Sequence, residues 1–307
     1  MKKLIRIGTR ESQLAVWQAV HVQKLLAQHG FESELVHIKS EGDIDLQTPL
    51  YEMGVQGIFT RSLDIALLTD KIDIAVHSMK DVPTQLPEGI VQAAVLERAS
   101  YKDLFVYKGN INFLNDFNSS AIIATSSIRR KAQWLNRYPN HTLENLRGNV
   151  NTRLKKVEES NWNGAIFAAA GLERIDLRPE QSVELDWMLP APAQGAIVVV
   201  CKEGDQYALD ACQLFNDEPT AICTKIERDF LRALLGGCST PISALAEIKN
   251  NELIFKGNIL SIDGKDKLAV EKRISIKDID GLGNKAAHEL LNNGGQKIAE
   301  SIRNAGK

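Results

Sequence analysis

The segment Leu4-Ile5-Arg6-Ile7-Gly8-Thr9-Arg10-Glu11-Ser12 (residues 4–12) starts as an apolar strand and ends in the polar residues that precede a helix. The amphipathic pattern of Ser12–Gln28 predicts that helix, which we expect to stop at Gly30. A second strand is predicted at Glu34–Ile38. A strand, a helix and a further strand in succession form the repeating unit of α/β proteins with largely parallel sheets. The chain is therefore predicted to have an α/β fold.

The same alternation continues through the first two thirds of the chain. Two comparable series, separated near Ala99-Ser100, predict two lobes of similar size. The stiff, extended segment Leu189–Ala193 predicts a second connection between them. Two connections form a hinged cleft, a favoured place for a small ligand. The elements predicted here are helix Gly57–Leu68, strands Ile72–Val76, Val91–Leu96, Asp103–Tyr107 and Ala121–Thr125, helices Ser127–Arg137 and Val150–Glu159, and strands Gly164–Ala168 and Val183–Trp187.

The pattern changes after Pro219, where a small C-terminal α+β domain is predicted. A helix with one apolar stripe runs to about Leu235, and a second helix is predicted near Gly283–Arg303. Between them lie three strand-like stretches, of which the last two are joined by an Asp263-Gly264 turn typical of a hairpin. These stretches are Ile242–Ile248, Glu252–Ser261 and Lys267–Ser275.

Composition and charge exclude several classes of protein. The formal net charge is -2, from 37 basic and 39 acidic side chains, which argues against broad attraction to nucleic acid or an anionic membrane. No apolar run approaches the ~20 residues needed to span a bilayer, and the first residues lack a signal-type apolar stretch. We therefore expect a cytoplasmic protein with no nucleic-acid or membrane partner.

The four cysteines do not predict a metal site. None forms a CxxC pair, and no histidine lies at zinc-ligand spacing. Cys201 ends an apolar run and is predicted to be a core residue, whereas Cys212 and Cys223 lie on helix-like segments where burial or unremarkable exposure is expected. Cys238 differs because Gly236-Gly237 precede it and Pro241 follows, which predicts an accessible thiol. Such a thiol is a nucleophile, an attachment point or an incidental loop residue.

Several arginines lie at equivalent places, each beside a strand end or loop, small hydroxyl or glycine residues, and the start of a helix. Backbone N–H groups, hydroxyls and guanidinium groups that point the same way suit anions. Surface ion pairing is the alternative for any one of them. Because no dinucleotide fingerprint or P-loop is present, a ligand with several carboxylates fits better than a nucleotide. The arginines are Arg10, Arg129, Arg130, Arg147 and Arg153.

A second polar group, His77-Ser78-Met79-Lys80-Asp81-Val82-Pro83, directly follows the predicted strand Ile72–Val76. Open α/β sheets place ligands at the carboxyl ends of their strands. Lys80 could bind a carboxylate, and Asp81 could stabilise a developing cation or transfer a proton, or could be only a turn or cap residue. For His77 we expect a partly buried imidazole with satisfied hydrogen bonds.

Taken together, the motifs resemble the porphobilinogen deaminase family from the first strand to the Cys238 loop. They occur in the order of the family, and the chain beyond Pro241 has the length and pattern of the family without a diagnostic motif. The motifs are Gly8-Thr9-Arg10-Glu11-Ser12-Gln13-Leu14-Ala15, His77 to Pro83, Thr125-Ser126-Ser127-Ile128-Arg129-Arg130, Arg147-Gly148-Asn149-Val150-Asn151-Thr152-Arg153, Ala169-Ala170-Gly171-Leu172-Glu173-Arg174, Pro190-Ala191-Pro192-Ala193-Gln194-Gly195-Ala196, Glu227-Arg228-Asp229-Phe230-Leu231 and Gly236-Gly237-Cys238.

The resemblance implies two lobes like those of periplasmic-type binding proteins and a small C-terminal α+β domain. The expected divisions are residues 1–97 with 196–215, residues 101–189, and residues 218–307. The implied activity is that of hydroxymethylbilane synthase, which condenses four porphobilinogens head to tail with release of ammonia and hydrolyses the product to the linear tetrapyrrole. The implied cofactor is a dipyrromethane held by a thioether to Cys238. Porphobilinogen and the growing pyrrole chain are the expected partners of a monomer.

The resemblance also assigns roles to residues. Asp81 would be catalytic, facing the pyrrole nitrogens. Residues expected to bind the cofactor are Cys238, Lys80, Asp81, Thr125, Ser126, Ser127, Arg129, Arg130, Arg147, Gly148 and Gln194. Residues expected to bind substrate are Arg10, Ser12, Arg147, Arg153 and Arg174.

Two departures from the family pattern lie in the predicted hinge and the predicted lid. Ala193 stands where the family usually has glycine, and its methyl group is expected to limit a positive φ or stiffen the hinge. Gln56 stands where a lysine is common, at the end of Ser40–Gln56, a stretch predicted to be a lid.

Each motif taken by itself is also compatible with two other classes of protein. One is a non-catalytic two-lobed carboxylate-binding protein, and the other is a thiol-dependent transferase with Cys238 as its nucleophile. A covalently bound dipyrrole in the isolated protein distinguishes the family's chemistry from both.

Overall fold

A computed structural model of the chain describes residues 3–39, 60–234 and 240–305. The predicted lid, Ser40–Gln56, and the Cys238 loop lie outside the described residues. The predicted fold class is confirmed, because the described chain forms two five-stranded α/β sheets and a three-stranded antiparallel sheet with helices. Within these ranges, no helix has the length and apolar character needed to cross a membrane.

The first sheet has the strand order β2-β1-β3-β10-β4, with strands numbered along the chain. β1, β2 and β3 are parallel, and β10 is antiparallel to both of its neighbours. Apolar side chains of β1 and of the first helix, such as Ile7, Val22 and Leu26, form a fully buried core. The elements are β1 (Ile5–Thr9), α1 (Gln13–Gln28), β2 (Ser33–His37), α2 (Arg61–Leu68), β3 (Ile74–Ser78), β4 (Ile90–Val95), β10 (Ile197–Lys202) and α6 (Gln206–Gln213).

The second sheet, β7-β6-β8-β5-β9, repeats this arrangement. β7, β6 and β8 are parallel, and β5 is antiparallel to both of its neighbours, β8 and β9. Its core contains the fully buried side chains of Phe105, Ile123 and Trp134. The elements are β5 (Asp103–Tyr107), β6 (Ile122–Ala124), α3 (Ile128–Arg137), β7 (Thr142–Glu144), α4 (Val150–Glu159), β8 (Gly164–Ala168), α5 (Ala169–Glu173) and β9 (Ser182–Glu184). The two lobes therefore share one topology.

The chain crosses between the sheets twice, after β4 and again before β10. The crossings are joined where the N–H of Ala99 donates to the carbonyl oxygen of Gly195 (3.2 Å). Gly195 has a φ of 89°, and a Cβ atom there would lie 2.7 Å from the Ala99 oxygen, so only glycine fits. Ala193 adopts a φ of 61° despite its methyl group, a conformation that costs about 1–2 kcal/mol for a residue with a Cβ atom.

The third sheet, β11-β12-β13, is antiparallel and packs against the last helices. The predicted hairpin is confirmed, with Gly264 at a φ of 75° in its turn. The prediction of one helix over Gly283–Arg303 is wrong, because a kink at Gly294, whose φ of 109° is not helical, separates two helices. The elements are α7 (Glu218–Leu234), β11 (Ile242–Lys249), β12 (Glu252–Leu260), β13 (Lys267–Ser275), α8 (Leu282–Leu290) and α9 (Gln296–Ala305).

Glu227, on α7, connects all three sheets. Its fully buried carboxylate binds the guanidinium group of Arg98 in the first crossing, with Nη1–Oε1 and Nη2–Oε2 distances of 2.6 and 3.1 Å. The same carboxylate accepts the N–H of Ala193 in the second crossing (2.6 Å) and that of Ala246 in β11 (2.7 Å). A paired and fully hydrogen-bonded charge can be retained in a core. The relative placement of the crossings and the third sheet therefore depends on this carboxylate.

Glu227→Gln should lower the free energy of unfolding by about 3–5 kcal/mol, because it leaves the buried Arg98 guanidinium without its counter-ion. Chemical denaturation followed by circular dichroism measures this loss. Glu271→Gln is the control, since the exposed Glu271–Lys256 pair at 3.7 Å should contribute no more than about 1 kcal/mol. Equal effects of the two substitutions would contradict the role given to Glu227.

Candidate active site

Loops from both lobes meet at the carboxyl ends of the parallel strands. This placement follows from the sheets, since parallel strands end at one edge. Lys80, in the first lobe, is close enough to Arg129, Arg130 and Asp103 of the second lobe for their charges to shift its pKa. The two edges therefore face each other across a cleft. The predicted site residues that follow the parallel strands are Arg10 and Ser12 after β1, Lys80 and Asp81 after β3, Thr125, Ser126 and Ser127 after β6, Arg147 and Gly148 after β7, and Arg174 after β8 and α5.

Asp81 lies in a short 3₁₀ turn, Met79–Asp81, directly after β3. Met79 is buried and fixes the turn to the core, whereas Asp81 is exposed to the cleft. Arg228 of α7 binds the turn from behind, donating to the carbonyl oxygens of Met79 (3.2 Å), Val82 (3.0 Å) and Pro83 (2.6 Å). This role of Arg228 is not predicted by the sequence.

Asp103, the first residue of β5, is a fully buried carboxylate that sequence reasoning missed. Its Oδ1 atom accepts from Nε and Nη2 of Arg130 (3.1 and 2.7 Å) and from Nε2 of Gln194 (2.9 Å). Its Oδ2 atom lies 2.8 Å from Nη2 of Arg129. Burial alone would raise the pKa of Asp103, but Arg129 and Arg130 outweigh it and hold the pKa at about 2.

The two guanidinium groups beside Asp103 are not equivalent. Arg130 completes its contacts inside the protein, because its Nη1 also donates to the carbonyl oxygen of Ile166 (2.9 Å). Arg129 donates from Nη1 to Leu189 (2.8 Å), but its buried Nε has no hydrogen-bond partner in the described ranges. Arg129 is thus the member of the pair with a donor left for a ligand.

The hydroxyl residues before these arginines shape the loop. Thr125 is buried, and its Oγ1 accepts the N–H of Ser127 (3.2 Å). Ser127 caps α3 by accepting the N–H of Arg130 (3.4 Å). Ser126 lies between them and is half-buried. The N-terminus of α3 is thereby directed at the cleft with the arginines in its first turn.

Lys80 and Gln194 connect the two lobes. Nζ of Lys80 donates to Oε1 of Gln194 (3.4 Å), whose Nε2 binds Asp103 and the carbonyl oxygen of Tyr101 (2.8 Å). Burial, and then Arg130 and Arg129, lower the pKa of Lys80 to about 8, although Asp81 and Asp103 act in the opposite direction. A lowered lysine pKa marks a place where an additional anion would be bound favourably.

Arg147 and Arg153 lie near Asp81 on the other wall. Arg147 is buried, and Nε of Arg153 donates to the carbonyl oxygen of Gly148 (2.7 Å). Burial, and then Arg130 and Arg147, lower the pKa of Arg153 to about 10, although Asp81 acts in the opposite direction. Gly148 has a φ of 116° and no room for a Cβ atom, which would lie 2.8 Å from the Thr152 side chain.

Arg10 and Asp81 line a small open pocket together with Gln18, His77 and Ser78. Ser12 is the N-cap of α1, and its hydroxyl accepts the N–H of Ala15 (3.4 Å). Nε2 of Gln18 donates to Oγ of Ser78 (2.8 Å).

Two predictions about His77 and Ser78 are wrong. β3 extends through both residues, because β10 pairs with the strand as far as Ser78, opposite Ile197. The hydrogen bonds of His77 are also incomplete: the side chain is 7% exposed, and its buried Nε2 has no partner among the residues described.

Arg174 lies at the hinge. Its Nη2 donates to the carbonyl oxygen of Gly195 (2.7 Å), and its guanidinium carbon is 5.7 Å from the centre of the Trp17 ring. Burial lowers the pKa of Arg174 to about 10. Its predicted contact with substrate remains a prediction.

Among the described residues, positive charge is in excess around Asp81. Five cationic side chains surround the two carboxylates Asp81 and Asp103. Arg129, Arg130 and Arg147 are each less than 7% exposed. A buried surplus of positive charge favours an anionic ligand, and the residues fit a dipyrrole that bears several carboxylates. The five are Lys80, Arg129, Arg130, Arg147 and Arg153.

Three of the four cysteines are excluded as reactive thiols. Cys201, Cys212 and Cys223 are buried, as predicted for the first. Burial raises the pKa of their thiols to about 11, 12 and 12, so the reactive thiolate form is suppressed. Cys238 lies outside the described residues.

The matching topology of the lobes and their shared cationic edge define a two-lobed α/β protein with a cleft for a polyanionic ligand. Residues 5–210 match the family model "Porphobilinogen deaminase, dipyromethane cofactor binding domain", and residues 221–292 match "Porphobilinogen deaminase, C-terminal domain". The chain belongs to the porphobilinogen deaminase family.

Individual relatives agree with this assignment. Two proteins named porphobilinogen deaminase, from Chloroherpeton thalassium and Chlorobium phaeobacteroides, are each 38% identical to the chain. The first match covers 100% of this chain and 96% of that protein, and the second covers 99% of each. A solved ancestral cationic amino acid solute binding protein is 15% identical, with a TM-score of 0.42 over 69% of this chain and 89% of that one, a likeness too weak to add to the topology.

The function is therefore that of hydroxymethylbilane synthase, a transferase of porphyrin and haem biosynthesis that acts on porphobilinogen. Its cofactor is the family's dipyrromethane, for which residues 5–210 form the binding domain.

In the protein without its cofactor, Lys80 should lose its proton near pH 8, so the cleft should bind anions best below that pH. Cofactor carboxylates favour the ammonium form, so loading should raise the pKa of Lys80. Nuclear magnetic resonance titration of isotope-labelled lysine in both forms measures the change, and Lys80→Arg assigns the resonance. The ordinary lysine pKa in both forms would contradict the electrostatics of the site.

Proposed function

We propose that the cleft around Asp81 is the place where the cofactor is held and the pyrrole chain is extended. The observation that carries this proposal is the position of Asp81, which lies in an anchored turn among cationic side chains of both lobes. The corresponding domains would be residues 1–97 with 196–215, residues 101–189, and residues 218–307. Asp81 would be the catalytic residue.

The cofactor would be attached through a thioether to Cys238. Two observations support this residue: the other three thiols are buried, and Cys238 follows α7 by only four residues, which links it to the helix that holds the Asp81 turn. Cysteine attachment also agrees with the cofactor-binding domain identified by the family model. The bound dipyrromethane supplies the terminal pyrrole to which substrate units are joined.

The cationic residues would bind the acetate and propionate groups of the pyrroles. Charge-assisted hydrogen bonds contribute about 1.5–3 kcal/mol each, so several can hold a chain that must still advance. Arg129 would act through its remaining donor, whereas Arg130 would act mainly by holding Asp103 and neighbouring groups in place. The proposed cofactor contacts are Lys80, Asp81, Thr125, Ser126, Ser127, Arg129, Arg130, Arg147, Gly148 and Gln194, and the proposed substrate contacts are Arg10, Ser12, Arg147, Arg153 and Arg174.

Each condensation balances without a further reactant. The carbon–nitrogen bond of the aminomethyl group breaks, a carbon–carbon bond forms to the free position of the terminal pyrrole, and the proton released there offsets the loss of ammonia. Positive charge passes through the pyrrole nitrogens during this step. The Asp81 carboxylate would stabilise that charge and accept a hydrogen bond from the pyrrole N–H.

We also propose that the enzyme is a cytoplasmic monomer without nucleic-acid or membrane partners. Near-neutral net charge and an ordinary globular composition support this part of the proposal. Sedimentation equilibrium of the loaded protein tests the oligomeric state.

Asp81→Asn should fold normally but lose nearly all turnover, at least about a hundredfold, because the amide does not provide the negative charge. Product formation and thermal unfolding are measured together. The control is Asp278→Asn, an exposed carboxylate in the third domain, which should leave turnover unchanged. Near-normal turnover by the Asp81 variant would refute its catalytic role.

Cys238→Ser should yield a protein whose intact mass equals that of its amino acids and which forms no product. Cys223→Ala serves as the control, since removing a buried thiol should leave the dipyrrole mass increment in place. Both proteins are produced in cells competent for haem synthesis and weighed by electrospray. A dipyrrole on the Cys238 variant would place the attachment elsewhere.

A further inference from the structure

His77 is a buried imidazole in a polar pocket. It lies near the end of β3, is 7% exposed, and lines a small open pocket with Arg10, Ser78 and Asp81. Its buried Nε2 forms no hydrogen bond with the part of the chain that is described.

A buried nitrogen without a partner is unusual, because most buried polar atoms in native proteins are paired. His141 shows how this fold satisfies a buried histidine elsewhere. There Nδ1 accepts from Nε1 of Trp134 (3.0 Å), and Nε2 is 2.9 Å from Oγ of Ser119. The absence of a partner at His77 therefore requires its own explanation, and the pocket beside the ring provides one.

The pocket offers groups of three kinds. Arg10 is a cation and Asp81 is a carboxylate. His77 is an uncharged imidazole that can accept a hydrogen bond. Burial, and then the charge of Arg10, lower the pKa of His77 to about 3, so the ring stays uncharged at neutral pH. Such a set is complementary to a ligand that bears a carboxylate and an ammonium group.

Porphobilinogen is such a ligand, with two carboxylates and an aminomethyl ammonium group. The three N–H groups of an ammonium point in different directions, so a single carboxylate does not accept all three hydrogen bonds. Oγ of Ser78 is already an acceptor for Gln18. A neutral imidazole nitrogen is an additional acceptor in this pocket.

We propose that His77 is a substrate-binding residue whose Nε2 atom accepts a hydrogen bond from the aminomethyl ammonium group of the incoming porphobilinogen. The inference rests on the proposed location of the active site at Asp81. His77 positions the leaving group and is not a proton-transfer residue. Its proton is on Nδ1, which leaves the Nε2 lone pair for the substrate.

Substitution tests binding separately from stability. His77→Leu should raise the KM for porphobilinogen about tenfold or more, because the lost hydrogen bond is to a charged group. Its thermal midpoint should stay the same or rise, because replacing an unpaired buried polar group does not remove a contact of the fold. His77→Gln, which keeps an acceptor near the Nε2 position, should remain within about threefold of the unaltered KM.

His141→Leu is the matched control. It removes a histidine whose two nitrogens are bonded, so it should lower the thermal midpoint and leave KM unchanged. The intact mass of each protein shows whether the dipyrrole is present, which separates a failure of the whole site from a change at His77. An unaltered KM in His77→Leu, or equal KM values for its Leu and Gln variants, would overturn the proposal.

Nitrogen resonances of the ring give an independent test that does not depend on turnover. In isotope-labelled loaded enzyme, His77 should be neutral with its proton on Nδ1, and its Nε2 resonance should shift when porphobilinogen is added. A proton on Nε2, or an Nε2 resonance unaffected by saturating porphobilinogen, would overturn the assignment even if a variant failed to fold.

Discussion

The cleft depends on the ion pairs that the buried carboxylate of Asp103 forms with Arg129 and Arg130. Removing guanidinium groups from water costs several kcal/mol per ion unless each is paired. Asp103 compensates Arg129 and Arg130 together, and Gln194 adds a neutral hydrogen bond from the second crossing. One carboxylate carries a single negative charge, so two guanidinium groups remain only partly neutralised. The second lobe can therefore keep its arginines buried and directed at the cleft while positive charge remains for a ligand.

Two consecutive residues of α7, Glu227 and Arg228, position the crossings, the third sheet and the Asp81 turn. Glu227 binds both crossings and the third sheet, and Arg228 binds the carbonyl oxygens around the Asp81 turn. The proposed attachment residue, Cys238, follows the same helix after four residues. The hinge, the proposed catalytic carboxylate and the base of the pyrrole chain are thus all connected to one helix. A chain that grows from Cys238 starts from an element that also fixes Asp81.

Much of this arrangement could be predicted from local sequence patterns, and the remainder depends on contacts between distant residues. Helix Val150–Glu159 and strand Gly164–Ala168 have the predicted bounds, because a capping asparagine and an apolar run define them locally. Strand Thr142–Glu144 and helix Ala169–Glu173 were not predicted, since three and five residues are too few to establish a period. The loops that carry the cleft arginines could be predicted from their sequence motifs. The partners of Asp103 and Arg228 were not, because they are 26 to 149 residues away in the chain.

The polar atoms left unpaired in the cleft also indicate that a bound ligand stabilises the fold. Nε of Arg129 and Nε2 of His77 are buried without hydrogen-bond partners in the described structure, and positive side chains around Asp81 outnumber negative ones. Each unpaired buried group costs about 1–3 kcal/mol, and partly neutralised cations cost more. An anion that binds only the folded state recovers this free energy and stabilises the fold in proportion to its affinity. Because the proposed thioether would prevent the ligand from dissociating, the loaded protein would retain that stabilisation at any substrate concentration.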